Sequence, residues 1–349
     1  MIQSPDRYYF NLTFFNNSNE NSSLPQDVPA SITETYDRDI IKNPSEWNVA
    51  IARFSISSNF VGRVYQPYPT TTSTTKFFVG LSYNNIFYDI PIVLPIVTQQ
   101  DGTKQQLVYN TNDFLDLLNQ AFVTAQSSVT SAGGPTGNGT TIITFDNVSG
   151  FYDVNIPTYY GITGGIDVTM SYELYHRFQG FSVTQNSPLL YNGHDITFIK
   201  KSRGNNIDVI ENPLGITGTY YICKQDAKWS SSITDITRLL ITTNSIPIAQ
   251  EFRGQQLYTQ FSGNQSNDTI GILTDVLIGQ DEELIARAEH WIYVPPFLRL
   301  VSMIGNNVLR TLNINVYIAD VFGSVFRLYL GPLDNMDIKL IFLKKGLES

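Results

Sequence analysis

The chain of 349 residues contains one cysteine and three histidines. Cys223 has no intrachain disulfide partner, which excludes a disulfide-stapled scaffold and points to folding in a reducing compartment. Charge is scarce as well. Asp, Glu, Lys and Arg make up 15% of residues, against roughly 25% in an average soluble protein. The 31 acidic and 22 basic residues leave a net charge of −9. That balance argues against a protein that wraps nucleic acid, because such proteins neutralise phosphates with surplus Lys and Arg. No apolar run approaches the ~18 residues of a membrane-crossing helix, so no membrane span is expected. Met1–Arg7 has no apolar h-region, so synthesis in a host cell without a secretory signal is the expectation. The Asn-x-Ser/Thr tripeptides at Asn11, Asn21, Asn138, Asn147 and Asn267 then read as by-products of composition.

What the chain has in quantity is apolar, aromatic and uncharged polar residues. Hydrophobics are 42%, aromatics 13%, and 29 Asn outnumber the 22 Lys and Arg. Such a chain can bury a substantial core and is not disordered. The dominant pattern has period two, the mark of half-buried strands. In residues 9–15, Phe10, Leu12 and Phe14 share one face. In residues 47–56, Ala50, Ala52, Phe54 and Ile56 are expected to share another. Asn84-Asn85 between Phe77–Tyr83 and Ile86–Ile90 reads as a two-residue hairpin turn, since Asn tolerates positive φ. Asp146–Gly150 reads as a second hairpin turn between Ile142–Phe145 and Phe151–Ile156.

One amphipathic helix is predicted over 112–125, with Phe114, Leu117, Leu118, Ala121, Phe122 and Ala125 on one face and Thr111 or Asn112 as its cap. Ser171–Phe178 reads as a second, short helix. Strands are expected at Arg238–Thr243, Ile270–Ile278, Trp291–Val294, Leu298–Ile304, Thr311–Ile318, Val325–Leu330 and Asp337–Leu343. In Thr311–Ile318 the inward residues are Leu312, Ile314, Val316 and Ile318. Roughly fourteen strands with one or two helices place the chain in the all-β class, with a sandwich or jelly roll as the default.

Catalytic and metal-binding patterns are thin. His176, His194 and His290 are far apart, and none has a second ligand at metal spacing. Gly134–Gly139 is Gly-rich but lacks the Lys-Ser/Thr that completes a phosphate-binding loop. Cys223 sits in the strand-like run Tyr220–Cys223 and reads as a small core residue. Asp281-Glu282-Glu283 is contiguous, so its carboxylates diverge, and a solvated turn is the better reading. The basic knots Lys200–Arg203 and Lys344-Lys345 read as a turn and a chain end. Tyr65, Tyr68, Tyr159 and Tyr160 are candidates for stacking on sugar rings, or equally for core or interface positions. No catalytic, cofactor-binding or metal residue is assigned, no cofactor is expected, and an enzyme is not the reading.

Four segments carry a resemblance. Ile40–Ile56 resembles the opening of the minor capsid (penton) proteins of polinton-like viruses and virophages. Ile241–Phe252 is similar to a stretch in the same proteins, and its Thr243, Asn244, Pro247 and Glu251 distantly resemble adenovirus penton bases. Ile272–Ile278 and Ile338–Lys345 fit the same order. The likeness covers both ends of the chain and is loose over 60–230. The Arg-Gly-Asp of some adenovirus pentons is absent, and Arg203-Gly204-Asn205 and Arg253-Gly254-Gln255 do not match it, so no integrin receptor is implied.

The resemblance implies a jelly-roll β-sandwich with an inserted β-rich domain carrying one or two helices. It places 1–67 and 230–349 in the roll and 68–229, with the helix near 112–125, in the insertion. It also implies a virion protein, a homo-pentamer closing the five-fold vertices of an icosahedral shell. Its neighbours would be trimers of the major capsid protein, with internal contact to minor proteins or the genome. The loops Asn244–Pro247 and Asn59–Tyr68 are the expected subunit contacts, or else ordinary turns. The alternatives are a double jelly-roll major capsid protein, a carbohydrate-binding viral spike, and a hydrolase on a β scaffold.

Overall fold

The computed structural model describes residues 6–17, 27–146, 150–161, 165–186, 194–200, 207–211, 217–225, 236–249, 271–278, 290–320 and 323–346. The chain divides into two compact units. One takes Met1–Gly62, Ile96–Gln105 and Thr234–Ser349, and the other takes Arg63–Pro95 and Gln106–Ile233.

The first unit is built on β1 (Arg7–Phe15), β2 (Ser31–Thr35), β3 (Trp47–Ser57), β4 (Ile236–Thr243), β5 (Gly271–Leu277), β6 (His290–Tyr293), β7 (Thr311–Asp320) and β8 (Asn335–Lys344). All pairings are antiparallel. One sheet runs β1-β8-β3-β6 and the other β2-β7-β4-β5. Strands that cross back and forth between two four-stranded sheets in this order make a jelly roll. The large insertion lies in the β3–β4 connection. Val301–Ser302 adds to β3, and Val325–Arg327 adds to β7.

The core of the roll follows from the alternation. On the first sheet Leu12, Phe54, Ile56, Leu340 and Phe342 are fully buried; on the second, Leu239, Ile241, Leu312, Ile314, Val316 and Ile318 are. Phe10 links the layers, its ring 5.6 Å from both Phe342 and Tyr36. The segment 96–105 docks on the same unit. Gln105 Nε2 donates to Arg327 O at 2.9 Å, and Tyr329 hydroxyl donates to Asp101.

Two strand expectations change. β3 pairs Arg53 with Lys339 but Ile51 with Leu340, so Ala52 is an extra residue in a β-bulge. The bulge reverses the alternation. Val49 and Ile51 join Phe54 and Ile56 on the inner face, while Ala50 packs with Ile341 and Leu343 on the other face, next to Ala52 and Leu300. The expected strand Leu298–Ile304 shrinks to Val301–Ser302. Pro295-Pro296, just upstream, lack the N–H groups a strand ladder needs.

The second unit centres on helix α1 (Thr111–Ser131). It lies against the hairpin Phe78–Tyr83/Ile86–Pro91 and the strand Ile142–Asp146. Its buried stripe is Phe114, Leu115, Leu118, Ala121, Phe122, Ala125 and Val129; Leu117 is only half-buried. The cap is Asn110, whose Oδ1 accepts from Asp113 N at 2.9 Å, one position before the expected Thr111 or Asn112. The helix also runs six residues past the expected end. It stops in a Schellman motif: Gly134 N donates to Val129 O and Gly133 N to Thr130 O, both at 3.0 Å, with Gly133 at φ +81°.

The Asn84-Asn85 turn forms with both residues at positive φ (51° and 61°), as a type I′ hairpin requires. Ile142–Asp146 and Phe151–Pro157 pair as the second hairpin, and α2 (Tyr172–Phe178) is the short helix.

Leu118 is fully buried in the α1 stripe. Leu118→Ala is expected to destabilise the second unit by about 2–5 kcal/mol. Urea titration followed by circular dichroism checks it; an unchanged midpoint would show that the stripe is not core.

Candidate functional site

Part of the uncovered apolar surface of the first unit lies at the edges of one sheet. Among the described residues β6 pairs with β3 alone, on one of its edges. Trp291 turns inward onto Phe54, with ring centroids 6.0 Å apart. Ile292 therefore turns outward and is 63% exposed. The chain continues through Val294, 62% exposed, to Phe297, 88% exposed. Arg299 Nη1 then donates to Asp275 Oδ1 at 2.7 Å, which ties this loop to β5 beside the exposed Leu277. An apolar strip of this kind marks a surface made to be covered. Pro295 and Pro296 supply no ladder donors, so at that point coverage by side chains is favoured over strand addition.

The opposite edge of the same sheet is β1, which among the described residues pairs with β8 alone. Its outward face carries the exposed aromatics Tyr9 and Phe15. The Lys339 ammonium lies 5.2 Å from the Tyr9 ring centroid, a cation–π contact on an exposed ring. The sheet thus presents two chemically different edges, one aromatic with a cation and one aliphatic ending in Phe297.

The other sequence candidates are engaged in packing or stand apart. His194 Nδ1 is 2.9 Å from Asp89 Oδ2, and its ring stacks on Phe87 at 3.9 Å. Burial raises the Asp89 carboxyl above its ordinary value, with His194 opposing the shift. His176 is on α2 beside Tyr172, and His290 is exposed at the start of β6. Among the described residues no group of three or more His, Cys, Asp or Glu is placed to hold a metal. The Gly-rich loop follows the C-terminus of α1, the negative end of the helix dipole, which is the wrong end for a phosphate.

Lys200 is buried, donating to Gly161 O (2.7 Å) and Ile166 O (2.6 Å) and pairing with Asp167 (2.9 Å), so its ammonium is engaged within the fold. Residues 201–203 and 281–283 lie outside the described residues. Lys345 Nζ donates to Ser45 O at 2.7 Å.

In the loop Asn244–Pro247, Ile246 is buried and its N–H donates to Thr243 Oγ1 at 3.1 Å, while Asn244 is exposed. In Asn59–Tyr68, Phe60, Val64 and Tyr65 are buried, while Gly62 is exposed. Of the tyrosines proposed for sugar stacking, Tyr65 and Tyr160 are buried, and Tyr159 is held by its hydroxyl donating to Gly139 O at 2.8 Å. Sequence reading missed the outward strip because Val294, Phe297 and Leu298 resemble strand interior. The signal that marks them as surface is Pro295-Pro296.

Cys223 is buried, its Sγ donating to Ile199 O at 3.3 Å. Burial pushes its thiol up to about 12. Thiolate is the reactive form, so native protein at pH 8 is expected to resist a thiol-specific aromatic disulfide until it is unfolded. Rapid stoichiometric labelling of the native chain, read by absorbance, would contradict this.

The family model described as Sputnik minor capsid protein V18/19 matches residues 8–344. The V18 protein of Sputnik virophage is 24% identical over 153 residues, 38% of this chain and 89% of that protein. The fold is shared with a chain from the 3.5 Å cryo-EM structure of the Sputnik virophage, at TM-score 0.68 and 20% identity, covering 99% of this chain and 100% of that one. It is shared also with the mavirus penton protein, at TM-score 0.60 and 13% identity, covering 97% and 100%. The chain therefore belongs to the Sputnik minor capsid protein V18/19 family and is a structural component of a viral capsid.

Proposed function

We propose that the protein closes the five-fold vertices of an icosahedral shell as a pentameric ring, with trimers of the major capsid protein around it. The observation that carries this reading is the pair of unlike edges that one sheet of the roll presents among the described residues: β1 with Tyr9 and Phe15, and β6 and the loop after it with Ile292, Val294 and Phe297. A ring needs two different patches per subunit, joined head to tail, and it closes when the rotation between neighbours divides a full turn. The fold shared with the mavirus penton protein supports the number five. The role is architectural. His194, Lys200 and Cys223 are each engaged in packing or hydrogen bonds, and the chemistry they offer is that of a stable shell.

The low charge fits the same role. Asn, Thr, Ser and Tyr cross an interface at less desolvation cost than ions. The runner-up, a trimeric major capsid protein, has a discriminating test in the mass of the assembly.

Phe297→Asp alters an exposed side chain and is expected to leave stability within about 0.5 kcal/mol of wild type. Its incorporation into particles is expected to fall about tenfold, a loss of ~1.4 kcal/mol in contact free energy. Quantitative mass spectrometry of purified particles reads the incorporation. Native mass spectrometry of complexes released from wild-type particles is expected to give five chains. Three chains, or normal incorporation of the variant, would overturn the reading.

A further inference from the structure

The turn that leads into β8 holds its third residue in a conformation that leucine avoids. Asp334 N donates to Gly331 O at 3.1 Å, which closes the turn 331–334. Pro332 stands second and Leu333 third, and Leu333 has φ +65°. That is the pattern of a type II turn, whose third position calls for glycine or asparagine. A leucine there brings its Cβ against the following carbonyl oxygen. Among the described residues the other non-glycine positions at positive φ are Asn84, Asn85 and Gln179.

The backbone is pinned in that conformation. Asn16, the buried residue after β1, donates from Nδ2 to Leu330 O (3.0 Å) and Gly331 O (2.9 Å), and its own O accepts from Leu333 N at 2.9 Å. Asn16 N donates to Asp334 O at 2.9 Å, and Asp334 Oδ2 accepts from Gly331 N at 2.8 Å. Surroundings that over-determine a backbone in this way can hold a strained residue. The strain gains the unit little packing, because Leu333 is 57% exposed. A strained residue that its own fold does not use points to a function outside that fold.

Leu333 presents a rigid aliphatic knob at one end of the β1 edge. Phe15 pairs with Asn335 in the β1–β8 ladder, and Asn16 bonds to Leu333, so the exposed Phe15 and Leu333 belong to the same end of that pair of strands. The vertex reading, on which this inference rests, joins the β1 edge to the 292–298 strip of a neighbouring copy. The strip suits such a knob. Ile292, Val294 and Phe297 are exposed, and 292–298 contains no charged residue. A charged or strongly polar partner would gain nothing from a leucine, whereas an apolar strip gains buried surface. A turn already fixed also loses little freedom when it docks.

We infer that Leu333 is an interface residue whose side chain seats on the 292–298 strip of a second copy of this chain. The turn keeps leucine against its conformational preference for the sake of that contact. Glycine and asparagine fit the turn better, and neither offers an aliphatic side chain. Every residue named lies in the first unit, so each copy carries both the knob and the strip. That is what a head-to-tail joint requires.

The test uses the full chain, free and in assembled particles. Leu333→Gly removes the knob and keeps the turn. Its melting temperature is expected to match or exceed that of the wild type, since glycine adopts positive φ without strain. Its incorporation into particles is expected to fall about tenfold. In a second arm, photoreactive benzoylphenylalanine replaces Leu333 in particles that also carry wild-type chains. Irradiation is expected to cross-link it to residues 292–298 of a second copy, read by peptide mass spectrometry. A clearly lower melting temperature for Leu333→Gly would show that the side chain serves its own unit and would overturn the inference. So would normal incorporation of that variant, a cross-link to a different protein, or no cross-link. The vertex reading has its own readout in the number of chains released from wild-type particles. Five chains there with a miss at position 333 would count against this inference alone.

Discussion

The structure depends on one strand. β8, the last described strand, pairs along one edge with β1 and along the other with β3, in register over nearly its whole length. Arg7 thus meets Leu343, and Trp47 meets Lys344. These pairings join the two ends of a chain whose middle is a separate unit. The entropy of closing so long a loop grows only slowly with its length. A continuous ladder backed by fully buried Leu340 and Phe342 is able to offset it. An insertion in the β3–β4 connection is therefore tolerated, provided β8 keeps its place between β1 and β3.

The bulge at Ala52 shows how tightly that place is set. A strict alternation through β3 would turn either Val49 and Ile51 or Phe54 and Ile56 out of the core. One extra residue puts all four inside. Ala50 is thereby turned to the far face of the sheet, against Ile341 and Leu343, so this sheet carries apolar contacts on both faces. Exposed apolar residues also lie along both edge strands of this sheet, Tyr9 and Phe15 on β1 and Ile292 on β6.

Much of this architecture was legible in the sequence where local chemistry decides the outcome. The alternation of Leu312, Ile314, Val316 and Ile318 places β7 correctly because each is an apolar residue between polar ones. Asn84-Asn85 marks its turn because few residue pairs accept positive φ twice. The bulge was not legible: Ala52 and Arg53 fit either face of a strand, and only the pairing with Lys339 and Leu340 distinguishes them. The sheet order was hidden for a similar reason, since it rests on partners far apart in sequence. The end of α1 could have been found, because Gly133-Gly134 is a C-cap signal lying beyond the apolar stripe. The docking of α1 on the strand Ile142–Asp146 could not, because Asn119 bonds there to backbone N and O of Ile143, and backbone partners leave no trace in residue identity.

The vertex assignment is tested most directly by an icosahedral cryo-EM reconstruction of the particle that carries this chain. The account predicts density for the roll at the five-fold axes, with β1 of one subunit facing the 292–298 strip of its neighbour. Density for this chain at the three-fold capsomers would contradict it.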